Sequence, residues 1–274
     1  MIYQRMTREQ LHPALPRSST EISLTVYARP HTGEMLADDG ERWGVLILPG
    51  GGYALTANGE GEPVALSFLT AGMQAFVLRY SVAPDRWPQA FLEAGAAIAW
   101  IRANARQFGL SPRRVAVCGF SAGGHLAGCL ANLWQAPLFQ QVLGLSPAQV
   151  RPDRAILCYP VISRELDPKS GSLDLLCGGT VPDMLNLDQS VNSKNPPAFL
   201  WSTWSDGSVP VENTLSYARA LLAAGIPCEL HIYGWGPHAM GAATPESVWD
   251  SGHVSEHAAS WTGLCQEWLR RDEL

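Results

Sequence analysis

The sequence predicts a single α/β domain over residues 1–274, with a mostly parallel central sheet and helices on both faces. Three observations carry this expectation. Short, continuously apolar runs alternate with segments of helical period along most of the chain. Glycine or proline punctuates many of the junctions. No linker, internal repeat or abrupt change of composition divides the 274 residues, which is enough chain to bury one large core.

In chain order, residues 22–27 alternate apolar and polar side chains and read as an outer strand. Residues 44–48 form an apolar run that stops at Pro49 and three glycines, the pattern of a strand covered on both faces. Residues 63–71 suit a helix, with Pro63 early and Gly72 as its stop. Residues 75–80 form the next buried strand. A long helix follows over 90–108, ending at Gly109. Residues 115–118 are a strand leading through Gly119 into a helix over 122–134. Strands over 155–159 and 198–204, a helix over 211–224, a strand over 228–233 and a helix over 255–271 complete the alternation. Residues 163–195 break the rhythm. A lid or binding loop, forming a small cap, and a surface excursion with one short helix are both compatible with that insertion.

Composition excludes several function classes. The net charge is −6, and the 19 basic residues are scattered, with Arg113-Arg114 the nearest approach to a cluster, so a nucleic-acid backbone is not an expected partner. Apolar runs are strand-sized, which argues against a membrane. Residues 1–10 carry Arg5, Arg8 and Glu9 with no apolar run behind them and read as mature protein without a secretory signal. Six cysteines without a C-x-x-C pair suggest reduced thiols and a cytoplasmic location. The charged fraction of 16% points to extensive burial and weakly to a homodimer contact.

The chemistry concentrates where a parallel sheet presents it, just after strands. Gly119-Phe120-Ser121-Ala122-Gly123 follows a buried strand and opens a helix, the setting of a nucleophile elbow. A serine hydroxyl needs a base, and a histidine is the usual one. His238 follows the last strand in Gly234-Trp-Gly-Pro-His238. His231 lies inside that strand, His12 and His31 precede the sheet, and His125 is one turn along the helix from Ser121, where packing suits it better. His253-Val-Ser-Glu256-His257 matches a zinc pattern literally, but only Glu267, Asp272 and Glu273 remain downstream as a further ligand, so two polar residues on an exposed helix is the better reading and no metal or cofactor is expected. The orienting acid should follow a strand between Ser121 and His238. Asp206 does, whereas Asp174, Asp183 and Asp188 fall in the insertion. A plain helix cap is the other reading of Asp206. Pro49-Gly50-Gly51-Gly52-Tyr53 follows the first buried strand and lacks what a P-loop or dinucleotide fingerprint requires next, so it reads as an oxyanion loop.

With these residues in view the chain resembles the small α/β-hydrolase acetylesterases, acetyl-xylan esterase-like and esterase/lipase-like proteins. The resemblance runs over residues 22–269 and rests on Leu48-Pro-Gly-Gly-Gly-Tyr53, Gly61-Glu-Pro-Val-Ala65, Ala75-Phe-Val-Leu-Arg-Tyr-Ser-Val82, Gly119-Phe-Ser-Ala-Gly-Gly-His-Leu-Ala127, Cys158-Tyr-Pro-Val-Ile162, Pro196-Pro-Ala-Phe-Leu200, Asp206 with Val209-Pro210 and Asn213, and Gly236-Pro-His238. It implies an α/β-hydrolase fold, a catalytic triad of Ser121, Asp206 and His238, and an oxyanion hole from the amides of Gly51, Gly52 and Ala122. The chain departs from the pattern at Pro49, where lipase-like relatives carry His, and at Ser202-Thr203, where His-Thr is common. The implied activity is hydrolysis of short acyl esters, acetyl above all, with acetylated sugars or xylo-oligosaccharides as small-molecule substrates. Tyr53, Tyr159 and Trp204 are candidate pocket residues. Tyr53, Trp201 and Trp204 could stack on a sugar or could equally belong to the core. An arylformamidase-like amidase, a lipase-like esterase for longer acyl chains and an inactive binding module are the rival readings.

Overall fold

The computed structural model describes residues 1–30, 32, 34, 40–167 and 171–271. His31, Asp272 and Glu273, considered above as candidates, lie outside the described residues. So do residues 168–170 of the insertion.

Eight strands form one sheet: β1 (Ile2–Thr7), β2 (Ser23–Ala28), β3 (Arg42–Leu48), β4 (Gln74–Arg79), β5 (Leu110–Phe120), β6 (Arg154–Cys158), β7 (Ala198–Thr203) and β8 (Cys228–Tyr233). Their spatial order is β1-β2-β4-β3-β5-β6-β7-β8. β2 pairs antiparallel with both β1 and β4, and every other pairing is parallel. The principal helices are α1 (Glu62–Thr70), α2 (Gln89–Ala103), α3 (Ala122–Leu133), α4 (Glu212–Ala223) and α5 (Glu256–Arg270).

Continuous apolar strands arise because alternate residues enter two different cores. Leu46, Leu48, Phe76, Leu78, Val115, Val117, Leu157 and Leu200 face α2 and α3. Val45, Ile47, Ala75, Val77, Cys118, Ile156, Cys158 and Trp201 face the other way, onto Val64 and Phe68 of α1 and Trp261, Cys265 and Trp268 of α5. Each face is covered by helices, as the sequence pattern requires. Among the described residues no helix is long and apolar enough to cross a membrane.

Three expectations change. The strand near residues 22–27 is not at the edge: β1 pairs outside it, so every residue of β2 is buried. β1 is mostly exposed and carries Gln4 and Arg5, which removes the apolar signal by which a strand is recognised. The helix expected over 90–108 ends at Ala103. A 3₁₀ turn (Ala105–Phe108) follows and closes on Gly109 in the left-handed conformation. The third change concerns the insertion, whose described part is built from short helical turns (Ser172–Cys177, Asp183–Leu185, Leu187–Ser190). Leu173, Leu176, Leu185 and Leu187 join the same core as α2 and α3.

Candidate active site

The elbow forms where β5 turns into α3. Ser121 has φ 53° and ψ −119°, a region that costs a non-glycine residue of order 1–3 kcal/mol. Backbone hydrogen bonds hold it there: Ser121 N–H donates to the Cys158 carbonyl at 3.0 Å, and its own carbonyl accepts from Val161 at 3.1 Å and His125 at 3.0 Å. The turn is tight enough that Gly123 admits no side chain, since a Cβ there would fall 2.1 Å from the Leu48 carbonyl oxygen. β3 and α3 can therefore approach until the Gly50–Gly52 loop lies beside the serine.

Three side chains distant in sequence meet at this rim. Ser121 Oγ is 2.8 Å from His238 Nε2, and His238 Nδ1 is 2.7 Å from Asp206 Oδ2. A carboxylate accepts, so Nδ1 carries the proton and Nε2 presents its lone pair to the serine hydroxyl. The Asp206 side chain is 1% exposed, and its other oxygen accepts from the Ser208 and Val209 amides, each at 2.9 Å. One oxygen thus faces His238 and the other closes a local turn, while α4 begins after Val211 with no side-chain cap, so Asp206 is not the helix cap that the sequence also allowed. Thr203 and Ser205 tie the end of β7 to the Gly236 backbone, which sets the spacing between the acid and histidine loops.

The glycine loop spends its carbonyls, and not its next two amides, on internal hydrogen bonds. The Gly50 carbonyl accepts from Ala57 N–H at 2.9 Å, and the Gly51 carbonyl accepts from Ala54 at 3.0 Å and Leu55 at 3.2 Å. In a trans peptide the N–H points opposite to the C=O. The amides of Gly51 and Gly52 are therefore turned away from these internal bonds. Ala122 opens α3, where helix N–H groups have no partner within the helix and the dipole favours negative charge. Together the three amides and the Ser–His–Asp line can generate a nucleophile and stabilise an oxyanion.

The pocket expectations need correction. Tyr53 is 1% exposed, and its hydroxyl meets His125 Nδ1 at 2.9 Å. Tyr159 is 2% exposed and its ring packs edge-on against His238, centroids 5.1 Å apart. Neither offers a free face to a sugar, and Trp201, fully buried and stacked on Trp261, is core. Trp204, at 64% exposure, is the one of these aromatics that reaches solvent.

The other histidines are placed elsewhere. His125 is fully buried, bonded to Tyr53 and to the Leu185 carbonyl at 2.9 Å, and burial pushes its pKa down to about 4. His231 meets Glu229 at 3.1 Å, and His12 accepts from the Ala14 amide. His253 lies 3.0 Å from Asp250, while the His257 ring packs against Tyr233. Asp174 pairs with Arg164 and Asp188 accepts from Ser216, so neither approaches His238. Among the described residues no group of three His, Cys, Asp or Glu side chains is arranged to hold a metal ion.

One residue at the site escaped the sequence analysis. Glu60, 3% exposed, accepts from Gly50 N–H at 2.7 Å and from the Tyr159 hydroxyl at 2.8 Å. Burial, the largest influence, raises its pKa, opposed by these two donors and more weakly by the neighbouring His238. Its position between Gly59 and Gly61, seven residues past Tyr53 of the glycine loop, was the available signal.

Comparison with known proteins supplies context for this geometry. A family model described as the alpha/beta hydrolase fold matches residues 45–176. The chain is 34% identical over 233 residues to endo-1,4-beta-xylanase B of Butyrivibrio fibrisolvens, covering 80% of this chain and 36% of that protein. It is 32% identical over 212 residues to the acetylxylan esterase of Xylanibacter ruminicola, covering 73% of this chain and 41% of that protein. The chain thus spans well under half the length of these two curated relatives. The crystal structure of an acetyl ester-xyloside bifunctional hydrolase from Caldicellulosiruptor lactoaceticus superposes with a TM-score of 0.77 at 35% identity, covering 92% of this chain and 88% of the other.

Proposed function

Because the chain belongs to the α/β-hydrolase family, we propose that it is a serine carboxylesterase that cleaves short-chain acyl esters, foremost acetyl esters of sugars or xylo-oligosaccharides, through an acyl-enzyme. The observation that carries this reading is the continuous hydrogen-bonded line from Ser121 through His238 to Asp206. Relatives that are an acetylxylan esterase and an acetyl ester-xyloside hydrolase support acetylated sugars as the substrate class. The exposed Trp204 beside Asp206 supports it further, as an apolar face for a sugar ring.

In this mechanism Ser121 Oγ attacks the acyl carbonyl carbon while its proton passes to His238 Nε2. The carbonyl π pair moves onto oxygen, where the amides of Gly51, Gly52 and Ala122 receive the charge. Collapse of the tetrahedral species re-forms the carbonyl and breaks the ester C–O bond, and His238 returns its proton to the leaving alkoxide. Water then adds to the acyl-enzyme with His238 again taking the proton, and the second collapse frees the acid and restores the serine hydroxyl. Asp206 holds the imidazole tautomer and faces the imidazolium formed in each half. A cytoplasmic location fits the six cysteines, all of which are free.

Ser121→Ala tests the proposal. Turnover of p-nitrophenyl acetate should fall by about 10⁴–10⁶ with the melting temperature retained, and undiminished turnover would remove Ser121 from the reaction. An acyl series sharpens the substrate: acetate should be cleaved much faster than octanoate. The reverse order would indicate a lipase-like esterase, and preference for N-formylkynurenine an amidase.

A further inference from the structure

We propose that Glu60 is a positioning residue for the reaction, a buried carboxylate that fixes the oxyanion loop and the histidine loop to each other. The inference rests on the hydrolase reading above.

Its two oxygens face two different loops. Oε2 accepts from Gly50 N–H at 2.7 Å, and Oε1 accepts from the Tyr159 hydroxyl at 2.8 Å. That hydroxyl in turn accepts from Gly241 N–H at 2.8 Å, three residues past His238, and the Tyr159 ring lies edge-on to the imidazole. A single carboxylate thus reaches the loop that would hold the oxyanion directly and the loop that carries the base through one tyrosine.

The clamp at Gly50 acts where orientation matters. The Pro49 carbonyl, the other end of the same peptide, accepts from the Tyr80 hydroxyl at 2.5 Å, so this peptide plane is held on both sides. The next two peptides carry the Gly51 and Gly52 amides. A Cβ on Gly50 would lie 2.8 Å from Glu60 Oε2 and 2.9 Å from Ser121 Cβ, so carboxylate and nucleophile flank the same residue. Rotation of the Pro49–Gly50 peptide would swing both oxyanion donors relative to Ser121. Donors of this kind stabilise the transition state only when pre-oriented.

The chemistry requires a double acceptor. Gly50 N–H can only donate, and Tyr159, already accepting from Gly241, has its hydroxyl proton to give. An ionised carboxylate satisfies both, whereas an amide satisfies one and turns an NH₂ toward the other. Burial is the largest influence and raises the Glu60 pKa overall, while the two hydrogen bonds and the nearby His238 act against that rise and favour the charge. The same charge faces the imidazolium that would form at His238 when Ser121 loses its proton.

The test compares Glu60→Gln with the intact chain on p-nitrophenyl acetate, with kcat expressed per serine titrated by a fluorophosphonate. Only misplacement of a correctly folded site lowers this quantity, because unfolded molecules do not titrate. The expected result is a kcat per titrated site reduced about 10²-fold, the scale of one lost oxyanion donor, with KM within about threefold of the parent. Tyr159→Phe, which leaves the Gly50 clamp and removes the tie to the histidine loop, should lower kcat about tenfold by the same reasoning, and it serves if Glu60→Gln does not fold. Per-site kcat within about twofold of the parent in either folded variant overturns the inference while leaving the esterase reading intact. A parent chain that neither turns over the ester nor labels at Ser121 removes the esterase reading itself.

Discussion

His125 and His238 are both hydrogen-bonded at both ring nitrogens, and both belong to the surroundings of Ser121, yet their partners suit them to different tasks. His125 rides on α3 with its Nε2 against the Leu185 carbonyl and its Nδ1 against the Tyr53 hydroxyl. A carbonyl can only accept, so Nε2 is the donor, Nδ1 takes the Tyr53 proton, and the ring is held neutral in one tautomer. His238 reverses the partners: a carboxylate fixes its Nδ1 proton, and the free lone pair points at a hydroxyl that can be given up. The difference teaches that the acceptor behind an imidazole decides its function. A neutral carbonyl in the core makes a structural post, and a carboxylate at the rim makes a base.

The comparison can be broken at three points. The largest expected effect is on His238→Ala, which should lower kcat/KM for p-nitrophenyl acetate by about 10⁴ or more and leave the melting temperature nearly unchanged. Comparable loss in His125→Gln would show that the two rings are not separable as argued. His125→Gln should instead lower the melting temperature at pH 7 and change kcat less than about tenfold, and its signature is in pH. The folded ring titrates near 4 and the unfolded one near 6.5. The unfolded chain therefore binds the proton first, so this contribution is complete above pH 6.5 and is lost as pH falls toward 4. The gap in unfolding free energy between parent and variant should narrow by up to about 3 kcal/mol over that interval, measured by denaturant titration. A constant gap would contradict the buried neutral ring. The smallest effect belongs to Tyr53→Phe, which leaves Nδ1 without its donor and should cost about 1–3 kcal/mol of stability with esterase activity retained. A large loss of activity would return Tyr53 to the substrate site.

The meeting of Ser121, Asp206 and His238 was legible because each position has a local pattern: an apolar strand, a small-residue turn and a helix around Ser121, and strand ends before Asp206 and His238. The parallel layers were legible because strands covered on both faces are apolar throughout. β1 was not, since an edge strand with Gln4 and Arg5 outward has no such signature. Aromatic roles were not either. Tyr53 and Tyr159 both sit at positive φ, 59° and 36°, which turns them inward, and nothing in residue type announces that. Glu60 was missed for a related reason. A glutamate among glycines reads as a solvated loop until its two donors, one about ten residues back and one nearly a hundred ahead, arrive by folding.

The described insertion is fastened behind the nucleophile: His125 donates to Leu185, Asn132 donates to the Leu187 carbonyl, and Leu187 N–H donates to the Ile162 carbonyl. Swinging that segment outward would strip a fully buried imidazole of its acceptor and expose two leucines, so these contacts hold its described part to the body of the fold.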